Sequence, residues 1–168
     1  MRIICGVDPG LSGALAAILI AEGKPVYLSV IDVPISTDGS KRQINVDRLA
    51  SWIEKWEPTE VVMENVQPMG GEGAASRPMN GASAFRFGIA VGQVRAAFQC
   101  YRIPMALVVP RVWKAHYGLK GQAKEEARQL AIDRLPEAKP YLARKLDHNR
   151  AESILIALYQ ADRGGLLF

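Results

Sequence analysis

The stretch Arg2-Ile3-Ile4-Cys5-Gly6-Val7-Asp8-Pro9-Gly10-Leu11-Ser12-Gly13-Ala14 decides how this chain reads. An apolar run of strand length ends on a carboxylate, and a Pro-Gly turn follows at once. Such a strand is apolar on both faces and belongs in the middle of a sheet. An Asp at its end is costly to bury unless a metal or hydrogen bonds compensate the charge. The plain alternative is that Asp8 caps the turn through Pro9-Gly10, a role Asp often fills.

Outward from this stretch, Ala14 to Ile20 and Pro25 to Asp32 are further apolar or alternating runs, parted by Gly23-Lys24. They predict three hairpin-linked antiparallel strands. Asn45 is a suitable cap for a helix in which Val46, Leu49, Ala50 and Ile53 recur at helical spacing. Val61 to Glu64 then reads as a short buried strand that again ends on an acid. Strand, helix, strand implies a crossover and a parallel pairing. Gln67 to Gly81, dense in Gly and Pro and without periodicity, predicts a long mobile loop. A helix from about Ala82 to Arg102, a strand over Met105 to Val109 and a helical turn over Pro110 to Tyr117 follow. Two more helices are expected over Lys124 to Arg134 and Asp147 to Asp162. This order is α/β: a single domain over residues 1–168, with a five-stranded mixed β-sheet flanked by α-helices.

At 168 residues and 49% hydrophobic content the chain can build one substantial core. The net charge of +4 is weak information alone. Its distribution says more, because from Arg102 to Arg150 Lys and Arg outnumber Asp and Glu by eleven to five, a surface suited to phosphates. Cys5 and Cys100 lie in apolar runs without a CxxC or Cys/His cluster, which speaks against a disulfide framework and structural zinc and fits a reducing compartment. No run approaches the 18 apolar residues of a membrane span, and the N-terminus enters a strand rather than a leader, so a cytoplasmic protein is expected.

Glu64 repeats the arrangement of Asp8, and a third polar cluster, Asp147-His148-Asn149-Arg150-Ala151-Glu152, opens the last helix. Ala151, Ile154, Leu155 and Leu158 form its apolar stripe. His148 and Asn149 lie four and three residues before Glu152 and share its face, whereas Asp147 joins them only from the helix cap. Capping alone would also explain Asp147. Asp8, Glu64 and one or two residues of this cluster supply hard oxygen ligands suited to Mg²⁺ or Mn²⁺ rather than zinc. A pair of such ions about 3.5–4 Å apart activates water and stabilises the leaving oxygen in phosphodiester hydrolysis.

Ile4-Cys5-Gly6-Val7-Asp8-Pro9-Gly10-Leu11-Ser12-Gly13-Ala14 resembles the opening motif of the RuvC-type Holliday junction resolvases. The resemblance continues in family order through Val62-Met63-Glu64, the glycine-rich loop, Ala84-Phe85-Arg86-Phe87-Gly88, Val109-Pro110-Arg111-Val112-Trp113-Lys114 and Asp147 to Ser153. It covers nearly the whole chain and is greatest to the phage and organellar branch. It implies an RNase H-like fold, a homodimer, and Mg²⁺-dependent paired nicking of a four-way junction, with Mn²⁺ substituting. Asp8, Glu64 and Glu152 match the family's catalytic, metal-binding acids, and Asp147 is the expected fourth. The chain departs from the family where an acid or His usually stands three residues before the last acid, since it carries Asn149; His148 is a further candidate for that place.

Arg111, Lys114, Lys120 and Lys124 are the expected phosphate contacts. Trp113 is either one of their neighbours or a core residue. Phe85 and Phe87 follow the loop, where a ring can stack on an unpaired base or pack in the core. Gly88 and Gly92 permit close backbone approach, to the protein's own sheet or to a helix across a dimer axis. Rival readings are an RNase H-like nuclease for RNA–DNA hybrids or other branched DNA, a non-catalytic junction binder, and a sugar-kinase or actin-like nucleotide binder. The last needs two such domains where this length holds one.

Overall fold

The computed structural model describes residues 1–39, 41–66, 80–121 and 124–164. The expected loop from Gln67 lies outside them up to residue 79. Strands β1 (Arg2–Asp8), β2 (Ala14–Ala21) and β3 (Lys24–Asp32) form an antiparallel meander. A small hairpin follows, β4 (Ile35–Asp38) with β5 (Lys41–Ile44). Helix α1 (Val46–Trp56) leads to β6 (Glu60–Glu64), α2 (Gly81–Cys100) to β7 (Met105–Val108), and both strands run parallel to β1. Helices α3 (Pro110–His116), α4 (Lys124–Arg134) and α5 (His148–Asp162) complete the chain, with a 3₁₀ stretch at Pro136–Leu142. The main sheet has the order β3-β2-β1-β6-β7 and is the five-stranded mixed sheet the sequence predicts.

Helix α1 begins as expected, with the Asn45 side chain accepting from the Arg48 N–H. Its buried residues are Leu49, Trp52 and Ile53, whereas Val46 is 40% exposed, so the apolar stripe is rotated towards Trp52. The β4–β5 hairpin was not foreseen. Its signal is Asp38-Gly39, a dipeptide that favours tight hairpin turns, and Gly39 has φ 58°. Gly88 and Gly92 do not pack on the sheet: a Cβ at either would meet nothing within 4 Å.

The sheet divides the interior in two. Ile3, Cys5, Val7, Val61 and Met63 pack towards α1 and α2, while Ile4 and Val62 pack towards α5. Helix α5 is buried nearly all round, from Ala151 and Ser153 to Gln160. Its approach to β1 is set by Gly6, where an added Cβ would lie 2.0 Å from the Ser153 carbonyl oxygen and 2.6 Å from Ala157 N. Only a residue without a side chain lets helix and strand backbones meet this closely. Strand alternation then fixes what comes next. Residues 4, 6 and 8 of β1 and 62 and 64 of β6 share the α5 face, so the acids that end both strands turn towards that helix.

Candidate active site

Val7 pairs with Met63 in the parallel ladder, which brings Asp8 and Glu64 to neighbouring strand ends. Glu152 lies in the first turns of α5, over the same face. The carboxyl ends of parallel strands are where open α/β sheets gather functional groups. Glu64 is only 7% exposed and accepts a 2.9 Å hydrogen bond from Trp113 Nε1. Glu152 pairs with Lys114 Nζ at 3.1 Å, and that ammonium lies 5.0 Å from the Trp113 ring centroid. Trp113 is therefore both a fully buried core residue and a direct partner of a site carboxylate.

The three acids feel one another. Burial pushes the Asp8 carboxyl well above the ordinary range, the charges of Glu64 and Glu152 push it further, and Lys114 and Lys124 act against them. Burial likewise raises Glu64; the Trp113 hydrogen bond opposes this, Glu152 adds to it, and Lys114 opposes it again. Mutually repelling, desolvated carboxylates of this kind mark functional sites.

Of the four expected acids the structure brings together three. Asp147 is buried but turned to Arg144, whose backbone N–H and Nη2 reach it at 2.8 and 2.6 Å. Burial by itself would raise this carboxyl; the hydrogen bonds and charge of Arg144, with Arg150, outweigh it and hold it below the ordinary range. The charges that act most on Asp8 and Glu64 come from one another, Glu152 and the lysines rather than from Asp147. His148 Nε2 lies 3.0 Å from Lys124 Nζ, and the Asn149 amide donates to the Ser12 carbonyl in the turn after Asp8.

Of the other expected contacts, Arg111, Lys120 and Lys124 are exposed and Phe85 is 71% exposed. The basic segment is less available than its composition implies, because Arg128, Arg134, Arg144 and Arg150 are paired with Glu125, Asp162, Asp147 and Asp32. Phe87 is half-buried, its ring 3.3 Å from where a Cβ on Gly10 would stand. Sequence reasoning missed Arg42, which donates to the Leu11 carbonyl at 3.1 Å. Its only signal was the unrecognised hairpin.

The donor chemistry fits a hard divalent cation, since three carboxylates in electrostatic contact carry an excess of negative charge. Among the described residues, however, no three His, Cys, Asp or Glu side chains already stand as a ligand cluster. Glu64 is drawn to Trp113 and Glu152 to Lys114, so a closed coordination shell requires these side chains to turn.

A mixed β3-β2-β1-β6-β7 sheet with its main helix across β1 defines the RNase H-like class of fold, in the form found in RuvC. No protein-family model and no curated protein matches the chain. Among solved structures, the chain is similar to Thermus thermophilus RuvC in complex with a Holliday junction substrate. The TM-score is 0.70 at 21% identity, over 98% of this chain and 95% of that one. A second structure of Thermus thermophilus RuvC gives 0.67 at 20% identity, over 97% and 95%.

Proposed function

We propose that this chain is a metal-dependent endonuclease that resolves four-way DNA junctions by paired nicking as a homodimer. The observation that carries the reading is the gathering of Asp8, Glu64 and Glu152 on one face of a fold that matches RuvC over nearly its full length. Asp8, Glu64 and Glu152 would hold Mg²⁺, or Mn²⁺ in its place, with two ions per site. Such ions, when bound, supply activation of water and stabilisation of the leaving oxygen in phosphodiester hydrolysis.

The chain's own groups do the rest. Lys114 and Lys124 offset the repulsion on Asp8 and keep the acids usable as ligands near neutral pH. Trp113 orients Glu64 by donating to its Oε1. Arg111, Lys114, Lys120 and Lys124 contact phosphates beside the site, and the exposed Phe85 ring is available to stack on an unpaired base. The outer face of α2 supports the dimer, because Ile89 is 46% exposed and Gly88 and Gly92 beside it leave room for a second helix.

The test is incubation of the protein with a labelled four-way junction, a linear duplex and an RNA–DNA hybrid, each with Mg²⁺ and with chelator. Symmetric Mg²⁺-dependent nicks confined to the junction are expected. Cutting of the hybrid or of all substrates, or junction binding without cleavage, would contradict the reading.

A further inference from the structure

The turn after Asp8 is anchored at its ends, with Pro9 and Gly10 buried and the Val33 N–H donating to the Gly13 carbonyl at 2.9 Å, while the Leu11 and Ser12 carbonyls between them depend on side-chain donors. Gly10 sits at φ 131°, where L side chains are strained, and a Cβ on Gly13 would lie 2.0 Å from the Asp8 carbonyl oxygen. Within the turn, the Gly13 N–H closes on the Gly10 carbonyl at 3.1 Å. Two glycines in so short a segment give it many conformations to lose, and it follows directly on Asp8, the last residue of β1.

Two successive carbonyls of this turn are each met by a donor from a distant part of the chain. Arg42 Nη2, 31 residues on, donates to Leu11 O. Asn149 Nδ2, 137 residues on, donates to Ser12 O. Arg42 stands two residues before buried Ile44 on β5, so strand alternation puts both on one face, with Arg42 at its exposed edge. The β4–β5 hairpin thereby carries a donor to the site. Asn149 sits one turn before Glu152, so its bond ties the start of α5, and with it Glu152, to the Asp8 turn.

We propose that Arg42 and Asn149 are positioning residues that clamp the Asp8 turn from the hairpin and from α5, and that Asn149 is a tether rather than a metal ligand. The proposal rests on the nuclease reading for its effect on rate, but not for its effect on the turn. It accounts for an amide at position 149: Ser12 O needs a hydrogen-bond donor, and an ionised carboxylate there would repel it.

The experiment compares wild type with Asn149→Ala, Asn149→Asp and Arg42→Ala. Amide hydrogen exchange over residues 10–14 is read in metal-free protein, and the junction-nicking kcat and the Mg²⁺ concentration for half activation are read separately. Each variant is expected to speed exchange in the turn about tenfold while β1 and α5 exchange as in wild type, and to lower kcat by about tenfold with half activation unchanged. The Asn149→Ala/Arg42→Ala double variant should loosen the turn by less than the product of the single effects, because both act on one segment. Unchanged exchange in both single alanine variants would overturn the clamp. So would an Asn149→Asp protein that nicks faster and needs less Mg²⁺, which is the behaviour of a ligand position. If Asn149→Ala does not fold, Arg42→Ala on the exposed hairpin decides the question. A wild type that nicks no junction defeats the nuclease reading alone, since the exchange measurement still decides the clamp.

Discussion

Trp113 Nε1 donates to Glu64 Oε1 across 2.9 Å in the interior, joining the largest fully buried side chain to a carboxylate of the candidate site. A single residue thus serves the core and the chemistry. Trp113→Phe keeps most of the apolar bulk and removes the donor. An orphaned buried acceptor costs about 1–3 kcal/mol, more when charged. We expect a lower Tm and nicking reduced by about tenfold. A variant as stable and active as wild type would show that the bond orients nothing.

Burial and mutual repulsion disfavour the charged forms of Asp8 and Glu64. A carboxyl whose folded-state pKa is raised contributes stability that is present below its ordinary pKa and is lost as pH rises through the raised value. Without metal, Asp8→Asn should therefore be more stable than wild type at neutral pH and lose that advantage in acid. Each kcal/mol released corresponds to about 2–4 °C in Tm for a chain of this size. Thermal melts in chelator across pH check it, and a neutral-pH Tm below wild type would count against the electrostatic picture.

Lys114 faces both ways, pairing with Glu152 and lying partly exposed beside the site. If it also meets a phosphate, Lys114→Gln should weaken junction binding and reduce the slope of log affinity against log salt by about one. Fluorescence anisotropy at several salt concentrations measures this. An unchanged slope would confine Lys114 to its carboxylate partner.

Ile89 lies on the outer face of α2, beside Gly88 and Gly92. Ile89→Glu should shift a dimer to monomer in sedimentation without lowering Tm of the monomeric fold. Sedimentation of wild type as a monomer at all concentrations would remove α2 as a dimer surface.

Much of this was legible because alternation and register are local. Ile4, Gly6 and Asp8 fall on one face by parity alone, and the apolar stripe of α5 named the helix that would cover them. Other features were not legible because they depend on which distant groups meet. Asp147 and Glu152 are equally acidic in sequence, yet Arg144, three residues away, holds one of them aside. Trp113 gave no hint that its indole would face Glu64, 49 residues earlier. Arg42 went unnoticed because the hairpin that carries it was not read from the sequence.

Cleavage and binding of a labelled four-way junction by wild type, Asp8→Asn, Glu64→Gln and Glu152→Gln in parallel, with Mg²⁺ throughout, decide whether the three acids form the active site. Paired nicks by wild type, no nicks by any of the three variants and junction affinities close to wild type are the predicted result. Nicking retained in any one of them would mean that the three acids are not the site.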